Sequence, residues 1–537
     1  MNAEELFNQG LNKNSQGDYQ SAIAYFNQAL QINPNFASSY QNRGNSYFGL
    51  GDYHKAIADY HSAIKINPQS ATDINLDLAT AYYNSGLTLC EQGDYQGAIE
   101  DFNSALQLNP NFAEAYSNRG NARYQLKDYH EAIADQNLAL RLNPNLIEAY
   151  HNRGNARYAL ADYTEAIADY NRTLEINPNY AGAYYNRGLV YTYLKDYPQA
   201  VSDFDQTLKL HPDDVQAYYN RGLVRATLGD YQAAIADYDS ALKENPYLVL
   251  VYGFRANARC QIGDYQGAIA DCNELLKLHP HLAEGYCDRA TARRSLADYQ
   301  GAIADYNSAL QINSNLIEAY YGRAIARDAI QDYESAIADN TTAIQLAPNF
   351  SQAYCNRGNA HRSLGDFESA IADYNEAIQL NPNLIEAYYN CGSTHFVLED
   401  YQSAIAYYTK AIKINPNIAA FMRDRANARY ALEDFQGAID DYDRAIAIDP
   451  NLAEDWYNRG RSRCLLKDFS EALKDLNQAL QLQPYFAEAY IVRADIYHNL
   501  GDIESAKADF QSSADLYQQQ GNTEYYQQIM DVISQLQ

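Results

Sequence analysis

Apolar residues recur along this chain at three- and four-residue steps in two short runs, a proline follows, and the cycle begins again. In residues 147–180, Tyr150, Arg153, Gly154 and Arg157 share one side of the first run, and Tyr163, Ala166, Ile167, Tyr170 and Leu174 share one side of the second. That spacing belongs to the α-helix, so each cycle predicts an antiparallel helix pair. Thirteen prolines from Pro34 to Pro484 mark the cycle every 34 residues, with one slip of eight residues and one omission, at Ser314. A helix pair of this length cannot bury its apolar stripe alone and must stack on its neighbours. The pattern predicts an all-α solenoid that runs as one quasi-one-dimensional domain, without the linkers that 537 residues would otherwise require.

Counted from Ala3, Ala37, Ala79 and so on to Ala487, the chain reads as fifteen units: repeats 1 and 2 over 3–70, an insertion at 71–78, repeats 3 to 15 over 79–520, and a tail over 521–537. The insertion, Ala-Thr-Asp-Ile-Asn-Leu-Asp-Leu, has no Pro or Gly and reads as about two extra turns of the first helix of repeat 3. It is either a docking ridge that projects past its neighbours or a tolerated extension. In the tail, Tyr525, Ile529, Ile533 and Leu536 fall on one helical face, as expected of a helix capping the open end of the stack.

Within the unit, the twentieth position is always Ala, from Ala22 to Ala506, and the eighth is Gly or Ala. Gly154 is expected to meet Ala166 where the two helix axes approach closely. Asp opens every second helix, from Asp18 to Asp502, as an N-cap. The seventh position is Arg in twelve units, and each of these also has Asp at the twenty-third; repeat 1 (Gln9, Tyr25) and repeat 12 (Cys391, Tyr407) lose both. Joint presence and joint loss imply contact across the hairpin, since one buried charge without the other is costly. A second Arg at the eleventh position, such as Arg123 or Arg157, either brackets the same Asp or reaches the neighbouring repeat. Repeat 3 keeps Asp101 opposite Ser85. Water or another cation reaches that carboxylate, with water the favoured reading, or the unit is a weak point.

Charge narrows the partners. The formal balance is -28, from 68 acidic against 40 basic residues, which disfavours nucleic acid and anionic membranes and suits a basic or neutral peptide. No apolar run is long enough to span a bilayer, and the first unit begins too early for a cleavable signal. The seven cysteines are widely spaced and odd in number, as expected of free thiols in a reducing cytoplasm. His151, His361 and His395 have no acid, thiol or second histidine placed beside them in a recognisable ligand or nucleophile set. The reading is therefore non-enzymatic, with no cofactor and no metal.

The repeated Tyr, Gly, Ala, aromatic and Pro positions resemble those of the tetratricopeptide repeat (TPR), with Trp456 matching the family's own choice at the fourth position and Arg replacing its Leu at the seventh. The wording of the repeats, Asn-Arg-Gly, Gly-Asp-Tyr and Ala-Ile-Ala-Asp-Tyr, is similar to that of long TPR arrays of cyanobacteria. The resemblance implies a right-handed superhelical solenoid of antiparallel helix pairs whose first helices line a concave wall where ligands lie. On that wall stands a row of sixth-position asparagines, Asn42, Asn84, Asn118, Asn152, Asn186 and Asn220, broken afterwards by Phe254, Asp288 and Gly322. The row resembles the asparagine ladder of the O-linked N-acetylglucosamine transferases; alternatively the amides bond across to neighbouring helices. Fifth-position rings, Tyr83, His151, Tyr185 and Tyr219, offer anchors, and no lysine there supplies the family's carboxylate clamp. The expected function is a scaffold that binds an extended or helical segment of a protein partner, chiefly in repeats 2–7; the alternative is a self-associating structural protein that forms homo-oligomers.

Overall fold

The structure, a computed structural model, describes residues 1–536, and Gln537 at the end of the tail lies outside the described residues. They form thirty-one α-helices and no strand among the described residues. The helices gather into two compact units, Met1–Gly263 and Asp264–Gln537, each a tandem array of helix pairs.

Local chemistry sets the helix ends. In twelve of the second helices the opening Asp accepts the backbone N–H three residues on, as Asp94 does from Gly97 at 3.0 Å. Asp128, Asp162 and Asp196 hold the same position without that bond. The residue just before the capping Asp turns the chain through the left-handed region. Gly51 and Gly93 do this freely at φ 78° and 82°, whereas Ala161 and Lys195 are held there at 61°.

Each pair closes on the buried twentieth-position Ala, and eleven of the fifteen add a buried aromatic at the twenty-fourth position, as in Ala166 with Tyr170 and Ala200 with Phe204; Gln136, Cys272, Asn340 and Leu476 take that place in the other four. The eighth-position glycine serves this ring rather than the alanine side chain. A Cβ on Gly154 would lie 2.7 Å from the Tyr170 ring, so the space left by the missing side chain is filled by an aromatic edge. Sequence spacing alone had pointed to Ala166, because both small residues face the same seam.

The insertion is part of one continuous 21-residue helix, Ala71–Glu91. Its apolar side docks: Ile74 and Leu78 are 1% exposed and pack on Ala56, Tyr60 and Ala63 of the preceding repeat, while Leu76 stays 62% exposed. The helix Thr523–Gln535 buries Ile529 against Phe510, Ala514 and Tyr517.

The arginine–aspartate pairs run through both units. Arg153 donates Nε and Nη2 to the two Asp169 oxygens at 2.9 and 2.6 Å, and Arg157 adds Nη1 at 2.6 Å, so the second arginine brackets the aspartate of its own repeat. The guanidinium also lies 5.4 Å from the centre of the Tyr150 ring. Its remaining Nη1 reaches backward to Asn137 Oδ1 at 2.6 Å, on the second helix of the preceding repeat. The same backward bond recurs at Asn27, Asn103, Asn171, Asp205, Asn307, Thr341, Asp443 and others. One side chain therefore ties together three helices. In repeat 12, where both charges are gone, the Tyr407 hydroxyl donates to Asn375 Oδ1 at 2.8 Å and keeps the link between repeats.

Candidate functional site

Within Met1–Gly263 the first helices of successive repeats touch one another, as Ala71–Glu91 touches Ala113–Gln125 and Ala113–Gln125 touches Ile147–Ala159. Helical periodicity places fifth and sixth positions on the same flank of each, so the row of rings and amides runs from one helix to the next. Asn42, Asn84, Asn118, Asn152, Asn186 and Asn220 are all half-buried there, as are Tyr83, His151, Tyr185 and Tyr219.

Five of the six amides, all but Asn152, donate within the fold. Asn118 Nδ2 donates to the Tyr83 hydroxyl of the preceding repeat at 2.9 Å, and Asn220 Nδ2 to that of Tyr185 at 3.0 Å. Asn186 Nδ2 bonds Asn155 Oδ1 at 2.8 Å and lies 3.4 Å from His151 Nε2. Asn42 and Asn84 turn back to the carbonyls of Ser38 and Thr80, one turn earlier on their own helices. An amide that donates inward leaves its carbonyl oxygen as the group a partner N–H can reach.

Two of the rings are held on two sides, and Tyr185 and Tyr219 each rest on one neighbour, Phe204 and Phe254. Tyr83 lies 6.0 Å from Phe102 and 4.7 Å from Phe112, and His151 lies 5.8 Å from Tyr170 and 5.0 Å from Tyr180. Burial pushes the His151 imidazole down to about 4, and its Nδ1 has no hydrogen-bond partner, so it is neutral at physiological pH. Beyond Tyr219 the face changes character. A cavity of about 310 Å³ is lined by Tyr219, Gln216, Leu248, Leu250 and Val251, with Tyr247 77% and Leu250 65% exposed beside it.

Sequence spacing missed three contributors. Asn155, at the ninth position, joins Asn186 to the buried Tyr170 hydroxyl, which donates to it at 2.8 Å. Phe112 and Tyr180, the last residues of their repeats, brace the fifth-position rings. The third contributor, the apolar rim at Tyr247 and Leu250, was signalled only by Phe254 breaking the asparagine row.

Nothing on this face assembles a nucleophile. Cys287, Cys355 and Cys391, elsewhere in the chain, are pushed up by burial to about 12, 11 and 12 and stay protonated. Among the described residues no cluster of His, Cys, Asp or Glu is arranged to hold a metal ion, and no helix is long and apolar enough to cross a membrane.

Family models described as TPR repeat or tetratricopeptide repeat match residues 10–51, 37–70, 86–127, 120–161, 154–192, 185–248, 358–398, 385–418, 426–463, 453–486 and 487–520. No curated protein matches the chain. Among solved structures, MamA is 27% identical over 30% of this chain and 94% of its own, with a TM-score of 0.29. YrrB, described as a TPR protein with an unusual peptide-binding site, is 25% identical over 36% and 95%, TM-score 0.30. The Cut9–Hcn1 hetero-tetramer structure is 16% identical over 92% and 96%, TM-score 0.36.

Proposed function

The chain belongs to the tetratricopeptide repeat family, whose arrays are protein-interaction scaffolds, and we propose that it binds an extended or helical segment of a protein partner along the first helices of repeats 2–7. The observation that supports this most is the uninterrupted row of half-buried amides on one flank of these helices, with rings beside four of them, ending at the apolar cavity beside Tyr219. Asn118, Asn186 and Asn220 offer carbonyl oxygens to the partner backbone, and Tyr83, Tyr185 and Tyr219 offer ring edges braced against motion, which lowers the ordering cost of binding. An aromatic or branched aliphatic side chain of the partner fits the cavity at Tyr219, Leu248 and Leu250. The charge of -28 favours a neutral or basic segment. The role is non-catalytic and cytoplasmic.

Two substitutions test the reading. Asn152→Arg places a long charged side chain in the middle of the row, and Tyr219→Ala opens the end of the cavity. Partners captured from native lysate by the unaltered chain should be lost from the first variant and weakened in the second, with the thermal midpoint within a few degrees of the parent. Undiminished capture by a folded Asn152→Arg variant would refute the groove.

A further inference from the structure

Repeat 3 alone has the twenty-third-position aspartate with neither of its arginines: Asp101 stands opposite Ser85 at the seventh position and Leu89 at the eleventh. In sibling repeats a guanidinium fills this place, bonded twice to the aspartate and once to the preceding repeat, as Arg43 is to Asp59 and Asn27. Here a solvent-accessible cleft of about 360 Å³ opens at the seventh position, lined by Ser85, Thr88 and Gln92 from one repeat and Asp52, Tyr53 and His54 from the one before, with Asp101 beside Ser85 but outside that lining. That is within the size range of small-ligand sites.

The groups around the cleft are under-used. Ser85 is 2% exposed and its Oγ makes no hydrogen bond of ordinary geometry, although it stands near enough to Asp101 to favour the ionised carboxylate. Asp101 is half-buried where its counterparts Asp135 and Asp169 are buried, and burial pushes its carboxyl up. His54, across the cleft, is the basic side chain that acts on it. Asp52, on the rim, is held by Lys55 at 2.7 Å. At the acceptor position that an arginine would reach in the preceding repeat stands His61, whose Nε2 lies 2.9 Å from the Tyr82 hydroxyl.

We propose that this cleft is a socket for an arginine side chain of a protein partner, which supplies in trans the guanidinium that sibling aspartates such as Asp59, Asp135 and Asp169 receive in cis. A guanidinium matches the site because its planar fork bonds one carboxylate twice and still has a donor for Ser85, whereas an ammonium is a point charge. The acidic surface steers such a cation toward the chain. The socket lies between the seventh-position flank and the preceding second helix, has no asparagine of the row in its lining, and does not depend on the groove reading.

The test titrates the full chain with acetyl-Gly-Arg-Gly-amide, its Lys and citrulline analogues, and methylguanidinium, followed by ligand-observed NMR. The Arg peptide should bind saturably at one site, at least fivefold more tightly than the Lys peptide, with no binding by citrulline. Asp101→Asn and Ser85→Arg should each weaken it at least tenfold, Asn152→Arg should leave it unchanged, and Ser85→Arg should raise the thermal midpoint by restoring the pair in cis. Equal binding by the parent and by either folded variant, or no saturation by the parent, overturns the socket. Methylguanidinium binding as tightly as the peptide overturns its assignment to a protein side chain.

Discussion

Replacing Asp169 by Asn removes one carboxylate on which three charged hydrogen bonds converge, two from Arg153 and one from Arg157. The side chains of Arg153 and Arg157 are 16% and 18% exposed and cannot simply turn to solvent. Breaking a buried pair by removing one partner costs about 3–5 kcal/mol, and the slight exposure of both arginines places the expected loss near the lower figure. Because a repeat array transmits stability mainly to nearest neighbours, the loss should be local. Amide hydrogen exchange should show reduced protection in residues 113–214, with the distant repeats unchanged, and urea unfolding should begin earlier. Repeat 12 supplies the control. Arg153→Cys with Asp169→Tyr copies its Cys391 and Tyr407, and the aromatic hydroxyl can take over the bond to Asn137 as Tyr407 does to Asn375. The double variant should be more stable than Asp169→Asn, and the coupling between the two positions should be at least about 2 kcal/mol. A single-variant loss below about 1 kcal/mol together with negligible coupling would show that the charges are incidental to stability.

The other expectations concern packing and protonation. Ala166→Leu forces three carbons into a site with no exposure beside the Tyr170 ring and should cost about 1–3 kcal/mol in urea unfolding. His151 is held neutral, with its folded value near 4 below the ordinary 6.5, so its stabilising contribution is complete above about pH 6.5. It is lost as pH falls toward 4, on the order of 2–3 kcal/mol, and His151→Phe should flatten that part of the pH–stability curve. Asp288 is the mirror case: burial, then Glu284, raises its carboxyl to about 6 from 3.8. Its stability is present below about pH 4 and lost as pH rises through about 6. Asp288→Asn should therefore stabilise the chain by on the order of 2 kcal/mol at pH 7 and not at pH 4.

The pairing of Arg153 with Asp169 was legible because the two types appear and vanish together within one chain. The backward bond from the same arginine was not, because its acceptor changes among Asn137, Asp205 and Thr341 and no residue type marks it. The asparagine row was legible as a row. Bonding across to neighbouring helices stood there only as the alternative, and the partner could not be named, since Asn118 and Tyr83 are 35 residues apart and become neighbours only when repeats stack. Gly154 shows the same limit: its smallness announced a close approach, and only the packed seam reveals that an aromatic edge occupies the gap.

The backward reach of each arginine also gives the array a direction in time. On the ribosome a hairpin emerges before the residue that will finish it, so Asn137 stays open until Arg153 has been synthesised and folded against it. Each newly made repeat thereby locks the one already outside the exit tunnel, and growth proceeds like a zip fastener whose teeth close one step behind the slider. At the seam between repeats 2 and 3 the tooth is Tyr82 with His61 instead of an arginine, and Ile74 and Leu78 of the lengthened helix close beside it.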